Sequence, residues 1–282
     1  GVYYLGDDID HMLSEAQRVR TEIENGATRA ELQQLLPAGG ARNALDCAFW
    51  ELEAKQTGKP VWELAGLDAP KSLRSTLTLG ADEPGKMALA ALALDLEAPV
   101  KVKLTGDLDD DIARVEAIRA ARPGAWIGVD ANQGYDVATL RDLLPVLTAN
   151  GVAQLEQPLK RGREADLDGL KRPLPFVADE SALTLADTAS LVGRFDVVNI
   201  KLDKCGGLTE GLAIAREAKK LGLDVMVGNM MGSSLSMAPS YLVGQLCDIV
   251  DLDGPTFLAR DREPGVEYRG GHVHCPPEIW GS

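Results

Sequence analysis

Short apolar segments alternate with longer amphipathic ones along most of the chain. From Ser75 onward we predict eight strands, and successive strands begin roughly 20 to 27 residues apart, at 76–79, 100–104, 126–131, 153–157, 176–180, 197–201, 224–229 and 247–253. Each interval has room for one helix and two short loops, which is typical of parallel strands joined by crossover helices. The pattern therefore predicts an α/β fold of the (β/α)8 TIM-barrel type. An open doubly wound sheet is disfavoured because neither of the glycine-rich phosphate loops typical of such sheets occurs.

The chain ahead of these strands has a different pattern. From about residue 8 to residue 66 it is helical in character and shows no strand alternation. Thr28 is a predicted helix N-cap, with Glu31 three residues later. Further along, five residues form one apolar stripe of an amphipathic helix: Ala44, Leu45, Ala48, Phe49 and Leu52. We therefore predict a mostly helical N-terminal region.

Charged residues occur in phase on the predicted strands. Side chains alternate along a strand, so Lys101 and Lys103, lying between apolar neighbours, point into the barrel. The same rule directs further ionisable groups inward near the carboxyl ends of other strands: Asp130, Glu156, Asp179, Lys201, Asp251 and Asp253. Barrel active sites lie at this end. Unpaired buried charges cost several kcal/mol each, so these groups must neutralise one another or bind a charged ligand.

The predicted strand order assigns chemistry to these groups. Asp130, Glu156 and Asp179 lie on neighbouring strands and can converge, and three carboxylates suit Mg²⁺. Lys103 and Lys201 lie on opposite strands, which provides the two opposed bases that inversion at a carbon requires. Lys101 and Mg²⁺ would stabilise the enediolate formed when a proton leaves a carbon beside a carboxylate. We expect Mg²⁺, neighbouring ammonium groups and desolvation to lower the pKa of the basic lysine.

Composition and net charge limit the classes of molecule that the protein is expected to bind. A net charge of −14 disfavours binding to nucleic acid and anionic membranes, and no apolar run is long enough to span a bilayer. The four scattered cysteines predict neither a zinc site nor a disulfide framework. We therefore expect a cytoplasmic protein with a small-molecule substrate and no nucleic-acid or membrane partner. Homo-oligomerisation is left open.

Several motifs resemble those of the enolase superfamily, and specifically its muconate-lactonizing subgroup. The matching stretches are V-K-V-K-L (100–104), V-D-A-N (129–132), L-E-Q-P (155–158), A-D-E-S (178–181) and N-I-K-L-D-K-C-G-G (199–207). Residues 44–66 are similar to the family's link between capping domain and barrel. D-L-D-G-P (251–255) resembles the Asp-x-Asp motif by which dipeptide epimerases hold the substrate ammonium group.

The resemblance implies a role for each residue. Lys103 and Lys201 would be the acid/base pair and Lys101 an electrostatic helper. Asp130, Glu156 and Asp179 would bind Mg²⁺, and the substrate-binding pair would be Asp251 and Asp253. The implied function is a Mg²⁺-dependent epimerase that inverts the α-carbon of the C-terminal residue of a dipeptide. The side-chain preference stays open, because Gly232 replaces a residue that is polar or acidic in many relatives.

The resemblance also implies a domain organisation. We predict a partial capping domain at 1–70, a catalytic barrel at 71–260 and a C-terminal segment at 261–282 that returns toward the capping domain. The family's N-terminal capping strands are expected ahead of Gly1.

Alternative activities remain at this stage. An N-acylamino acid racemase, an o-succinylbenzoate synthase or a cycloisomerase would use the same lysines and metal. Asp251 and Asp253 discriminate against them, because those substrates carry no ammonium group. A non-catalytic barrel is a more remote alternative.

Overall fold

The computed structural model describes residues 1–282. The N-terminal region contains five helices: α1 (Ile9–Arg18), α2 (Arg20–Glu24), α3 (Arg29–Leu35), α4 (Gly40–Thr57) and α5 (Val61–Leu64). The helical prediction for this region is confirmed. Thr28 caps α3 through a capping box with Glu31, as expected.

Eight parallel strands follow the short strand β1 (Leu73–Arg74). They are β2 (Leu77–Leu79), β3 (Val100–Lys103), β4 (Ile127–Asp130), β5 (Gln154–Glu156), β6 (Phe176–Ala178), β7 (Val197–Lys201), β8 (Asp224–Gly228) and β9 (Ile249–Asp251). Each pairs with the next in chain order. The amide of Thr76, just before β2, donates to the carbonyl of Val250 in β9 at 2.9 Å and so closes the ring. The barrel prediction is confirmed.

Helices surround most of the barrel. They are α6 (Pro84–Ala93), α7 (Leu108–Ala121), α8 (Val137–Ala149), α9 (Leu202–Cys205), α10 (Leu208–Lys220) and α11 (Ser234–Gly244). Short 3₁₀ turns at Glu164–Leu167 and Leu185–Leu191 take the place of helices between β5 and β7. None of the helices combines the length and the apolar character that a membrane-spanning helix needs.

The hydrophobic core positions the charged groups. Outward residues of the strands, such as Val100 and Val102, are buried against the helices. Inside the barrel, Val177, Val197 and Met226 form a separate small apolar cluster. This cluster fills the lower interior, so the inward charged side chains lie above it, toward the carboxyl ends of the strands.

The buried face of α4 differs from the predicted stripe. Ala44 and Ala48 are exposed and Leu52 is 48% exposed, whereas Leu45 and Phe49 are half-buried against a small cluster of the N-terminal helices. The buried residues include Ala41, Arg42, Asp46, Trp50 and Ala54. The stripe prediction was wrong because it counted only apolar residues, and two of the buried positions hold a charge with partners on the barrel.

A three-stranded antiparallel sheet was not predicted. It consists of β1, β11 (His272–His274) and β10 (Glu267–Arg269), with β11 in the middle. Strands of two or three residues carry too little alternation to be recognised. Near the C-terminus, the carbonyl of Gly281 accepts from the amide of Val61 in α5 at 2.8 Å. The boundaries at residues 70 and 260 stay predictions.

Candidate active site

Three acidic side chains meet at the carboxyl end of the barrel. Asp130 ends β4, Glu156 ends β5 and Asp179 directly follows β6. All three are buried, and one carboxylate oxygen of each lies within 4.8 Å of those of the other two. The structure thus brings together the three acids that the sequence placed on neighbouring strands.

This acidic triad fits a hard divalent cation. Glu156 Oε1 accepts a hydrogen bond of 2.9 Å from Asn199, whereas the buried Oε2 accepts none. Lys101 Nζ approaches Oε2 to 2.8 Å, but as an ion-pair contact without hydrogen-bond geometry. A buried oxygen with no hydrogen bond, in a set that offers only carboxylate oxygens, matches the ligands that Mg²⁺ prefers. The triad could hold Mg²⁺.

Lys103 and Lys201 contact the triad from two sides. Lys103 Nζ donates to Asp130 Oδ2 at 2.6 Å, and Lys201 Nζ donates to Asp179 Oδ2 at 2.6 Å. Their strands, β3 and β7, lie four positions apart in the eight-stranded ring. The two ammonium groups therefore reach the acidic triad from opposite strands.

Lys101, Asp251 at the end of β9 and Asp253 two residues later form a second group. Lys101 Nζ lies 2.8 Å from Asp251 Oδ2, and the other Asp251 oxygen accepts from the Thr76 hydroxyl. Asp253 Oδ2 accepts from the amide of Thr78 at 2.6 Å. Asp251 is paired with the Lys101 ammonium group and Asp253 forms no ion pair, so Asp253 has more capacity left for a cationic ligand than Asp251.

A cavity of about 330 Å³ lies over these groups. Its charged lining includes Lys101, Lys103, Asp179, Lys201, Asp251 and Asp253, and its apolar rim is formed by Tyr3, Tyr4, Met230, Met231 and Phe257. A volume of this size suits a small molecule.

The chain matches the models of two protein-family domains. Residues 87–279 match the model described as enolase C-terminal domain-like, and residues 10–66 match the mandelate racemase / muconate lactonizing enzyme N-terminal domain. The chain belongs to the mandelate racemase/muconate lactonizing enzyme family of the enolase superfamily. Its helical N-terminal region corresponds to the N-terminal capping domain of that family over residues 10–66.

Two curated members of the family share much of the sequence. An N-acetyl-D-glutamate racemase from Pseudoalteromonas sp is 44% identical over 254 residues, which is 90% of this chain and 80% of the relative. An L-Ala-D/L-Glu epimerase from Escherichia coli (strain K12) is 40% identical over 271 residues, which is 95% of this chain and 84% of the relative. Both relatives are isomerases that act on amino acid derivatives.

Solved structures of family members agree closely with this fold. An enolase family member from Agrobacterium tumefaciens, with bound sodium and L-Ala-L-Glu, superimposes with a TM-score of 0.93 at 38% identity, covering 99% of this chain and 86% of that one. A dipeptide epimerase from Methylococcus capsulatus, complexed with Mg and the dipeptide L-Arg-D-Lys, superimposes with a TM-score of 0.84 at 33% identity. The match covers 96% of this chain and 82% of that one.

The acids of the site raise the pKa of two of the lysines. Burial lowers the pKa of Lys201, but the negative charges around it, Asp179 foremost and then Glu156, together outweigh burial and raise the pKa above its usual value. The pKa of Lys101 is likewise raised, because Asp251, Glu156 and Asp130 outweigh its desolvation. The lowered pKa expected from the sequence applies to the site with Mg²⁺ bound. A divalent ion on the same carboxylates would offset the charge that stabilises both ammonium groups.

Two further polar residues at the site were missed. Asn199 lies on β7 two residues before Lys201, so strand alternation would have placed its side chain inward. Lys204 is fully buried, and its ammonium group donates to Asp179 Oδ1 at 2.6 Å and to the carbonyl of Asn199 at 3.1 Å. Lys204 lies in α9, beyond the end of the strand, where alternation makes no prediction.

Proposed function

We propose that this chain is a Mg²⁺-dependent epimerase that inverts the α-carbon of the C-terminal residue of a dipeptide. The observation that carries the proposal is the acidic triad with one lysine reaching it from β3 and another from the opposite strand β7. Inversion requires a proton to leave one face of a carbon and to return on the other. An opposed pair of lysines beside a cation site meets that requirement.

In this proposal each lysine transfers protons on one face of the substrate α-carbon. Neutral Lys103 or Lys201 takes the α-proton, and the electron pair of the broken C–H bond moves into the carboxylate to give an enediolate. The ammonium group of the other lysine then donates a proton to the opposite face. Lys101, whose pKa is raised, stays charged and stabilises the enediolate.

The acidic triad would hold the metal. Asp130, Glu156 and Asp179 are its proposed ligands. Bound Mg²⁺ would supply positive charge that makes the α-proton more acidic. Lys204 and Asn199 each donate to one triad residue, which keeps those carboxylates oriented.

Asp253 is the proposed main contact for the substrate ammonium group. It lines the cavity and forms no ion pair with a protein side chain, whereas Asp251 is paired with Lys101. Asp251 is proposed to add negative charge while its two oxygens are engaged by Lys101 and Thr76. The bound L-Ala-L-Glu of the Agrobacterium tumefaciens protein and the name of the Escherichia coli relative support a dipeptide substrate.

A second candidate is racemisation of N-acylated amino acids. The 44% identical relative is an N-acetyl-D-glutamate racemase, and the engagement of Asp251 by Lys101 reduces the negative charge available for an ammonium group. A dipeptide is itself an N-acyl amino acid whose acyl part carries an ammonium group. The two candidates therefore share the reacting centre and differ only at Asp251 and Asp253.

Deuterium exchange tests both candidates. Purified protein with Mg²⁺ in deuterated water would be given L-Ala-L-Glu, other L,L-dipeptides and N-acetylglutamate, and followed by mass shift and chiral chromatography. We expect one deuterium to enter the α-carbon of the C-terminal residue of a dipeptide, with inversion. Exchange confined to N-acetylglutamate would reject the dipeptide assignment. Absence of exchange in every substrate, with a folded and Mg²⁺-supplied protein, would reject the proposed chemistry.

A further inference from the structure

The turn that follows β7 begins at Lys201 and packs against the capping domain. Lys201 is the N-cap of α9, whose four residues end at Cys205, and the turn closes with Gly206 and Gly207. Both glycines have positive φ, +81° and +124°. A side chain at Gly206 would collide with the Arg42 guanidinium, and a Cβ at Gly207 would lie 2.5 Å from Asp46 Oδ2. The turn therefore packs directly against α4, with no room for a side chain between them.

Arg42 holds this turn through its backbone. Its guanidinium donates to the carbonyl of Cys205 at 2.6 Å and to the carbonyl of Gly206 at 3.3 Å, which satisfies the carboxyl end of α9. It also forms an ion pair with Glu210 on α10. Within the capping domain it donates to the carbonyls of Gln33 and Leu36, each at 3.3 Å. One buried side chain therefore joins the capping domain to the turn.

Asp46 lies one helical turn further along α4 and contacts the next residues of the barrel. Its carboxylate accepts from the Thr209 amide at 2.9 Å and from the Thr209 hydroxyl at 2.6 Å. Gln33 donates to it at 2.9 Å from within the capping domain. Arg42 and Asp46 thus fix the chain on both sides of the two glycines.

The other end of the same turn reaches the acidic triad. Lys201 donates to Asp179 Oδ2, and Lys204 donates to Asp179 Oδ1. A displacement of α9 would therefore move both lysines relative to Asp179 at once. Lys103 lies on β3 and shares none of these contacts.

We propose that Arg42 and Asp46 are positioning residues through which the capping domain sets the location of Lys201, one of the two acid/base lysines. This inference rests on the proposed two-lysine chemistry. Its distinguishing consequence is asymmetry: loss of Arg42 impairs the face of the substrate served by Lys201 more than the face served by Lys103. General loss of stability would impair both faces alike.

Exchange measured separately from each epimer detects this asymmetry. Lys201→Ala first shows which epimer, for example L-Ala-L-Glu or L-Ala-D-Glu, depends on Lys201 for α-proton exchange. Arg42→Met is then expected to slow exchange from that epimer about 10-fold more than exchange from the other, because small displacements of a base cost large factors in rate. Asp46→Asn, a milder change, is expected to shift the ratio in the same direction.

Arg29→Met provides the matched control. Arg29 also joins the capping domain to Thr209 and forms an ion pair with Glu53, but it does not contact residues 201–207. Its loss should leave the exchange ratio of the two epimers unchanged. An equal shift in Arg29→Met and Arg42→Met, or equal slowing of both epimers by Arg42→Met and Asp46→Asn, would overturn the inference.

Amide hydrogen exchange gives a reading that needs no activity. Peptides covering residues 201–207 should exchange faster in Arg42→Met than in wild type or Arg29→Met. Unchanged protection in Arg42→Met would overturn the inference even if the enzyme were active. Absence of α-proton exchange in the wild type would instead reject the proposed function, and the amide measurement would still decide whether Arg42 holds the turn.

Discussion

Lys101 donates a hydrogen bond of 2.8 Å to Asp251, and both side chains are buried at the carboxyl end of the barrel. The contact joins β3 to β9, which lie on either side of β2 in the ring. Lys101 also contacts Asp130 and Glu156, so several negative charges keep it protonated. These contacts hold Lys101 within the acid cluster, which suits the proposed role of a fixed positive charge, whereas Lys103 and Lys201 reach the triad from opposite strands.

The contact between Lys101 and Asp251 also predicts different roles for Asp251 and Asp253. Because Asp251 is engaged, Asp253 should carry most of the recognition of a substrate ammonium group. Asp253→Asn is expected to raise KM for L-Ala-L-Glu by about 10-fold or more, since a buried charged hydrogen bond contributes about 1.5–3 kcal/mol. KM for N-acetylglutamate should change little. Equal effects on both substrates, measured by steady-state kinetics, would argue against ammonium recognition at Asp253.

The ionisation of Asp253 predicts a pH dependence of binding. Burial, and then the charge of Asp251, raise the pKa of Asp253 to about 7. Below that pH the carboxyl is protonated in the ligand-free protein, so dipeptide affinity should fall as pH decreases, approaching tenfold per unit.

The Kd values of L-Ala-L-Glu and of N-acetylglutamate can be measured by calorimetry between about pH 5.5 and 8. The ratio of the two Kd values isolates the titration of Asp253, because the other groups of the site affect both ligands. Asp253→Asn should abolish the pH dependence of the ratio. A flat ratio in the wild type would contradict the assignment.

Removal of either opposed lysine should stop epimerisation while the fold persists. Lys103→Ala and Lys201→Ala are each expected to lower kcat by about 10² to 10⁴, the usual contribution of a positioned acid or base. Lys160→Ala, an exposed lysine outside the cavity, is the control and should keep wild-type kcat. Epimerisation at near wild-type kcat in either single variant would exclude a mechanism with one lysine on each face.

Metal binding by the acidic triad can be measured without substrate. Mg²⁺ at about 100 times its Kd should stabilise the wild-type protein by about 2.7 kcal/mol, seen as a rise in Tm. Glu156→Gln removes one proposed ligand and should strongly reduce this rise. Glu180→Gln is the control, because Glu180 is buried beside Asp179 but lies outside the triad. A full Mg²⁺-dependent rise in Glu156→Gln would contradict the proposed ligand set.

Strand alternation predicted the barrel because the physical signal is strong. Residues facing the helices must be apolar, so every charged residue between them, such as Lys101 or Asp130, marks an inward position. The carboxyl ends of parallel strands meet at one rim, which is why acids far apart in sequence could be expected to converge.

Tertiary pairing accounts for what the sequence did not predict. Arg42 and Asp46 are buried on α4 because the barrel supplies donors and acceptors for them, and an apolar-stripe rule excludes both residues. Lys204 is charged and lies just past a strand end, where solvent exposure is the usual expectation, yet it is enclosed by Asp179 and Asn199. Such positions depend on partners that lie elsewhere in the fold.

Asp111 on α7 stabilises the loop that follows Lys103. It is buried and accepts from the amides of Thr105 and Gly106 at 3.0 and 2.8 Å, from the Tyr135 hydroxyl at 2.5 Å and from Arg114 at 2.6 Å. Asp111→Ala removes the acceptor of the two amides and of the Tyr135 hydroxyl, and it removes the carboxylate that accepts from Arg114, which keeps only neutral hydrogen-bond acceptors on Asp82 and Thr105. The free energy of unfolding should fall by about 3–5 kcal/mol. Tyr135→Phe removes one hydrogen bond and should lower it by about 1 kcal/mol.

The neighbouring Asp110 is the control for this prediction. Its side chain is 65% exposed and lies 3.6 Å from Arg114, so Asp110→Ala should change the free energy of unfolding by less than about 1 kcal/mol. Urea unfolding of the three variants gives the order of these losses. A loss in Asp111→Ala no larger than that in Asp110→Ala would show that water replaces the buried carboxylate. The loop after β3 would then depend on contacts other than Asp111.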